Sequence, residues 1–515
     1  MKIHHITKKI KQAVVTAMIP LVCISCGGAA ITGSTSSNTS DTSVASAAFP
    51  ASLAVASPFD YSGSASTATS SLVKYSGIGS ASSTYSEVTE EINNILSGAA
   101  SSVTTFNPAD FLVQASDADC YGPTVLYEDH PDAPSTPNSG ELPVGDVGIW
   151  LETDPVSNDA CAASQLEARM MGVQSQSNAG LVSVATMINT AILSGKGLPD
   201  ASNPSVDITA EMNALGTIAD TTFNLATIDF DASDSSYAYA LDMTYAPASG
   251  SHEIIVTMDH IPGSGTYQGV LSYLVDDTFT GGNCPSADIT RNGSLKYEMV
   301  SATEMKIQAR SAIFCGHGSS GLDANGIVDA SDKYSAANPA GWGNTFDIFT
   351  GNYSPVDLDG HYSYAWQAGN LDGNTRVFNI TVEEAGMNGF AFYGYGDDVE
   401  MTDGSITGFI CNWAGPGNSH AQIEYAQYQE MTVEATTGQI NSVAANFAYA
   451  PTNSCEYDGT ATFLFDTNAD GLLSDENAAT VVNNDLYEAV DVDGDGVVDS
   501  IEDNIDFIGF VLPTI

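Results

Sequence analysis

The chain runs to 515 residues, with 13 Lys and Arg against 63 Asp and Glu, a formal net charge of −50 at pH 7. Charge of that sign repels phosphate backbones, which argues against nucleic acid as a partner, and it argues equally against adsorption to an anionic membrane surface. Hydrophobic residues make up 43% of the chain, enough for a sizeable core, yet no stretch beyond the N-terminus is long and apolar enough for a membrane helix.

Lys2, Lys8, Lys9 and Lys11 precede a short apolar run over 13–24. A run of this length suits a signal peptide better than a membrane span. It leads into Cys23-Ile24-Ser25-Cys26-Gly27, which resembles a bacterial lipobox with Cys26 as the lipidated residue and 1–26 as the signal peptide. Cys23 stands where leucine is usual and is itself an alternative acceptor. The resemblance implies a diacylglyceryl anchor at the mature N-terminus. Gly27, rather than Asp, implies sorting to the outer membrane of a diderm cell. The expected location is the bacterial cell envelope, lipid-anchored at the outer membrane and facing either the periplasm or the outside. The plainer alternative is an ordinary secreted protein.

Residues 27–76 are Ser, Thr, Ala and Gly with few large side chains, a composition that predicts a flexible tether. From 77 to 230 the pattern is mainly helical. Thr84-x-x-Glu87 reads as a capping box ahead of Val88, Ile92, Ile95 and Leu96. A second run starts near Asp159 with Leu166, Met170 and Val173. A third covers 181–193 with Val184, Met187, Ile188 and Leu193. A fourth starts at Asp207 with Ile208, Met212, Leu215 and Ile218. Between Cys120 and Cys161 lies a Pro- and Gly-rich loop carrying Tyr121, His130 and Trp150, long enough to be either functional or pinned.

From 231 to 462 the period changes to two. Tyr237, Tyr239, Leu241, Met243 and Tyr245 share one face, and Ile254, Val256 and Met258 alternate with Glu253, Thr257 and Asp259. Similar runs follow over 267–275, 305–310, 376–382, 390–395, 406–413, 424–434 and 444–449. Short strands joined by Gly, Pro, Asn and Asp predict a large antiparallel sheet, as a sandwich or a barrel. The alternation would also suit a membrane barrel. The irregular acidic turns, the preceding helices and the anchor argue against that. Arg291, Lys296, Lys306 and Arg310 cluster here, as an anion patch or as cross-strand partners of Asp and Glu.

Six further cysteines, Cys120, Cys161, Cys284, Cys315, Cys411 and Cys455, are an even number in an exported chain and read as disulfides. The sequential pairing, 120–161, 284–315 and 411–455, keeps each bridge inside one compositional region. Catalytic motifs are thin. Residues 316–321, GHGSSG, are not a nucleophile elbow. His130, His252, His260, His317, His361 and His420 form no HxxxH or HExxH.

The most specific spacing is near the end. In DVDGDGVVDSIE, 491–502, Asp491, Asp493, Asp495, Val497 through its carbonyl, Asp499 and Glu502 occupy positions 1, 3, 5, 7, 9 and 12 of a calcium loop, with Gly496 at the sharp turn. This resembles an EF-hand loop or the acidic calcium repeats of bacterial surface proteins. A weaker copy places Asp466, Asn468, Asp470 and Ser474 at positions 1, 3, 5 and 9, with Asn477 where glutamate belongs. A degenerate third copy starts at Gly321 with Asp323, Asn325, Asp329 and Asp332. The resemblance implies calcium as a structural ligand of a segment over 463–515.

The expectation is an α+β chain: a helical N-terminal region, a large antiparallel β sandwich or barrel, and a small calcium-loop segment. The function expected is that of a lipid-anchored envelope or surface protein with a binding or structural role toward a protein, glycan or apolar ligand. The alternatives are an exported hydrolase acting on polysaccharide and a carrier of an apolar ligand.

Overall fold

The computed structural model describes residues 47–50, 52–59, 85–97, 106–118, 120, 125–127, 153–215, 218–263, 265–277, 289–315, 345–368, 375–383, 388–396, 423–434, 437–451, 456–457 and 461–465. In chain order these form helix α1 (Tyr85–Leu96), a 3-10 turn (Pro108–Leu112), strand β1 (Val125–Tyr127), helix α2 (Cys161–Leu193), β2 (Ser205–Asp207) and α3 (Thr209–Ala214). There follow β3 (Thr221–Asp231), β4 (Ser236–Tyr245), β5 (His252–Pro262), β6 (Tyr267–Asp277), β7 (Ile289–Ser301) and β8 (Glu304–Cys315). The series continues with β9 (Thr345–Tyr353), β10 (Gly360–Ala368), β11 (Thr375–Glu383), β12 (Asn388–Gly396), β13 (Ile423–Val433), β14 (Ile440–Pro451), β15 (Glu456–Tyr457) and β16 (Ala461–Phe465).

Strands β2 to β14 make one open antiparallel sheet of 13 strands in which every strand pairs with its sequence neighbour, and β1, β16 and β15 form a small second sheet. The period-two reading holds: Tyr239, Leu241 and Met243 face Met258, Val256 and Ile254 across β4–β5, and all six are buried. The expected sandwich or barrel is corrected to an open sheet, because a helix rather than a second sheet covers its apolar face. Helix α2 touches β6, β7, β8 and β9. Near its start Ala162 meets β13 through Gln429, and just past its end Lys196 reaches the Asp207 carbonyl of β2. Its 33 residues measure about 50 Å at 1.5 Å per residue. Thirteen strands measure about 58 Å across at about 4.8 Å per step. The helix is long because it crosses nearly the whole sheet.

The second and third helical runs are therefore one helix. The residues that break the apolar period between them, Gln174, Ser175, Gln176, Ser177 and Asn178, are buried all the same. Gly180 lets the helix approach β6, since a Cβ there would stand 2.7 Å from a Leu271 methyl. The fourth run shrinks to the six residues of α3, and β3 occupies part of the region expected to be helical. A bulge between Phe223 and Leu225 breaks the alternation of β3, leaving Asn224 and Leu225 both exposed, so its period-two signal is lost. Strands β6 and β7 show a reciprocal device. Tyr273 lies over Gly293 and Tyr297 over Gly269, each a cross-strand pair in which a Cβ on the glycine would collide with the ring.

The tether expected over 27–76 is corrected in its described part. Ala48, Phe49, Leu53, Ala54 and Val55 are buried and belong to the same core as α2 and the sheet. No helix among the described residues is long and apolar enough to cross a membrane, which leaves strand-built spans unaddressed.

Candidate functional site

The inner face of the sheet is built around this N-terminal strap, 47–59. Asn178 of α2 accepts a hydrogen bond from the Val55 N–H at 3.0 Å and donates one to the Val55 carbonyl at 2.7 Å. One buried amide thus satisfies both backbone groups of one residue, as a neighbouring strand would. Tyr239 donates its hydroxyl proton to the Ala48 carbonyl and Tyr85 donates to that of Ser52. His260 is buried, with Nδ1 2.9 Å from the Tyr297 hydroxyl and a backbone hydrogen bond to Ala47. Burial lowers the His260 pKa to about 4, and the Ala47 bond opposes the shift.

The polar run of α2 is committed in the same way. Gln176 Oε1 accepts from the Tyr273 and Ser311 hydroxyls, each at 2.8 Å, while its amide donates to the Val113 carbonyl. Gln165 accepts from the Ala118 N–H and donates to Asp117, which also pairs with Arg169. The Arg169 guanidinium lies over the Trp366 ring, 4.8 Å from its centroid. Asp110 sits buried within the 3-10 turn. Burial raises its pKa to about 7, offset in part by a hydrogen bond from Asn107.

At the start of α2, burial raises the pKa of Asp159 and of Glu167, and each is pushed further by a neighbouring carboxylate. Asp159 is already used structurally, accepting the Ile440 N–H at 2.9 Å, and Asp154 caps the turn over 154–157 through the Val156 and Ser157 N–H groups.

An open groove of about 470 Å³ lies between α1 and the β9–β10 turn, lined by Tyr85, Ser86, Thr89, Glu90, Asn93, Asn94, Pro355, Val356 and Leu358. The apolar wall is fixed. Tyr85 packs edge-on against Tyr353, with ring centroids 6.3 Å apart, and Tyr353 stacks on Tyr362. Leu358 is held at φ 64° by its N–H to the Ser354 carbonyl and by its own carbonyl, which accepts the Tyr362 hydroxyl. A branched residue in that region is strained unless its surroundings hold it there. The opposite wall is polar. Thr89 sends its hydroxyl proton to the Tyr85 carbonyl and Asn93 donates an amide hydrogen to the Thr89 carbonyl.

Of the residues singled out by sequence, Cys120 and Cys161 are joined in a disulfide with Cα atoms 5.9 Å apart. Cys315 ends β8. Cys26, Cys284, Cys411, Cys455, both calcium loops (Asp466, Asn468, Asp470, Ser474; Asp491, Asp493, Asp495, Val497, Asp499, Glu502), the third loop and the GHGSSG turn lie outside the described residues. Among the described residues no three His, Cys, Asp or Glu side chains are grouped to hold a metal. The basic cluster divides between the two faces of the sheet. Arg291 is buried in register with Val275, whereas Lys296, Lys306 and Arg310 share the other face of β7 and β8, with Lys306 paired to Glu304 at 3.8 Å. Asn178, Gln176 and the groove escaped the sequence reading. The Gln-Ser-Gln-Ser-Asn run was the available signal, since a polar run inside a long helix implies buried partners.

Comparison with known protein families, curated proteins and solved structures finds no match for this chain.

Proposed function

We propose that this chain is a lipid-anchored envelope protein with a binding or structural role, stiffened by calcium at its C-terminal segment. The observation that carries the reading is that the apolar face of the sheet is occupied by the chain itself. Helix α2 and the strap fill it, and Gln165, Gln176 and Asn178 spend their amides on fixing these pieces to one another. Among the described residues the space left under the strap, between Ala54, Tyr353 and Tyr362, is about 10 Å³, too small for an apolar cargo. That favours recognition at the surface over carriage in the interior. The hydrolase alternative would draw on Asp159 and Glu167, but Asp159 is engaged with the Ile440 amide.

Ala48, buried in the strap, follows the proposed lipidated Cys26 by 22 positions in sequence. For calcium, the donor set is all oxygen with four aspartates and one glutamate at loop spacing, which fits a hard cation. Asp491, Asp493, Asp495, Asp499, Glu502 and the Val497 carbonyl would hold it, with Asp466, Asn468, Asp470 and Ser474 at the weaker site. The ion would supply a cross-link within the segment.

Thermal melts of the full-length chain in detergent, with EDTA and with about 2 mM calcium, test this. At a dissociation constant of about 0.2 mM one site adds about 1.4 kcal/mol. The expected result is a rise of a few degrees in the midpoint of the unit containing the site, abolished by Glu502→Gln. Coincident curves would sink the calcium part. Recovery of a chain carrying both Cys23→Ser and Cys26→Ser in the detergent phase, equal to wild type, would sink the anchor.

A further inference from the structure

We propose that the groove between α1 and the β9–β10 turn binds a basic side chain, a lysine or arginine presented by an extended polypeptide partner. The inference deepens the reading of this chain as a binding protein by naming the partner's chemistry. It starts from the valences left open in the groove. Glu90 is exposed, with a carboxylate that can only accept. Thr89 and Asn93 each turn one donor onto the helix backbone, to the Tyr85 and Thr89 carbonyls, which leaves their side-chain oxygens able to accept. Among the described residues the polar wall carries one formal negative charge, Glu90, and no basic residue.

The opposite wall excludes the simplest donor ligand, a hydrated metal ion. Calcium takes six to eight oxygens and several carboxylates, and here a single carboxylate faces an apolar surface that hydration would waste. Lysine and arginine match both walls at once. Their alkyl stems lie along apolar surface while the charged head stays at the polar rim. Tyr85, Val356 and Leu358 would take the stem, with Val356, 74% exposed at the tip of the turn, the most accessible of the three. The Tyr85 ring adds a face or edge within reach of the cation. At about 470 Å³ the groove lies within the usual range for small-ligand sites and exceeds what one basic side chain needs, which leaves room for flanking backbone. The field of the whole chain, at net charge −50, speeds encounter with a basic partner but carries no specificity.

The test is ligand-observed NMR saturation transfer on the full-length chain in nonionic detergent at about 150 mM salt, where attraction to distant exposed charges is largely screened. The probe is the tripeptide acetyl-Gly-Lys-Gly-amide, with acetyl-Gly-Gln-Gly-amide as the uncharged match. Saturable transfer to the lysine methylenes is expected, with the glutamine peptide at least tenfold weaker. Glu90→Gln should weaken lysine-peptide binding at least fivefold. Glu253→Gln, an exposed carboxylate on β5 away from the groove, should leave it unchanged. Among the described residues Glu90 has no bonded partner to lose, so the melting midpoint of Glu90→Gln should equal that of wild type. Absence of saturable binding, equal affinity for the two peptides, Glu90→Gln binding as wild type, or Glu253→Gln weakening it as much would each overturn the proposal. Measurement in EDTA and in calcium alike separates this outcome from failure of the anchor or the calcium reading.

Discussion

Replacing Asn178 by leucine keeps the branched shape of the side chain, with somewhat larger end groups, and deletes both hydrogen bonds that seat the strap. The bonds run from the Val55 N–H at 3.0 Å and to the Val55 carbonyl at 2.7 Å, with Asn178 1% exposed and Val55 fully buried. Water cannot replace them at that depth. Each unpaired backbone group costs about 1–3 kcal/mol, so the substitution should cost about 2–6 kcal/mol. That is a large part of the 5–15 kcal/mol that separates most folded domains from their unfolded chains. Because leucine leaves no cavity of consequence, the loss reports the bonds rather than the packing. Urea unfolding followed by far-ultraviolet circular dichroism measures it. Ser183→Ala is the control, because its hydroxyl donates only to Gly180 within the same helix; it should cost under about 1 kcal/mol. If Asn178→Leu lies within about 0.5 kcal/mol of wild type, the strap is not held as described.

Two buried groups give opposite pH signatures. Asp110 has a folded pKa raised to about 7, so the folded state binds the extra proton and stability falls as pH rises from about 4 to 7; Asp110→Asn should remove this slope and stabilise the chain at pH 8 by up to about 4 kcal/mol. For His260, lowered to about 4, the unfolded chain binds the extra proton, so stability is lost as pH falls from about 6.5 to 4. Denaturation midpoints between pH 4 and 8 should show the wild type nearly flat from these two groups and Asp110→Asn sloping downward toward acid; an unchanged profile would refute the burial argument. Gly293→Ala drives a methyl into the Tyr273 ring and the Arg310 carbonyl and should cost about 1–3 kcal/mol or more. Gly250→Ala, whose nearest neighbour is 3.7 Å away, should be close to neutral in the same thermal melt.

Much of the sheet was legible because its apolar residues alternate without interruption. Tyr237 to Met243, Ile254 to Met258 and Met305 to Ala309 announce both strand and inner face, and the structure buries those faces. Helix α1 was legible from Val88, Ile92 and Ile95, all of which are buried. Three features were hidden for physical reasons. The strap is itself largely apolar, with Phe49, Leu53, Val55 and Phe59, but it lies inside a Ser-, Thr-, Ala- and Gly-rich region without a helix or strand period, and what buries it is partners such as Asn178, more than a hundred residues away. Helix α2 looks like two helices because its middle is polar, and that polarity becomes affordable only once Tyr273, Ser311 and the strap complete its hydrogen bonds. The sheet looked like a sandwich or barrel because alternation shows that a face is covered, not by what. The groove was the least legible of all, since Glu90 and Val356 line it together from positions 266 apart in sequence. The Cys120–Cys161 bridge followed from even cysteine count and proximity in sequence, and it forms.

Hydrogen–deuterium exchange of the full-length chain, read by mass spectrometry on the peptide covering 47–59, tests most directly that the chain fills its own sheet. The Val55 amide is bonded to Asn178 and buried, so this peptide should exchange on the same slow time scale as peptides from β5 and β6. Exchange within seconds, as an unstructured tether shows, would mean that the apolar face is open, and the case for a surface-acting binding protein would fall with it.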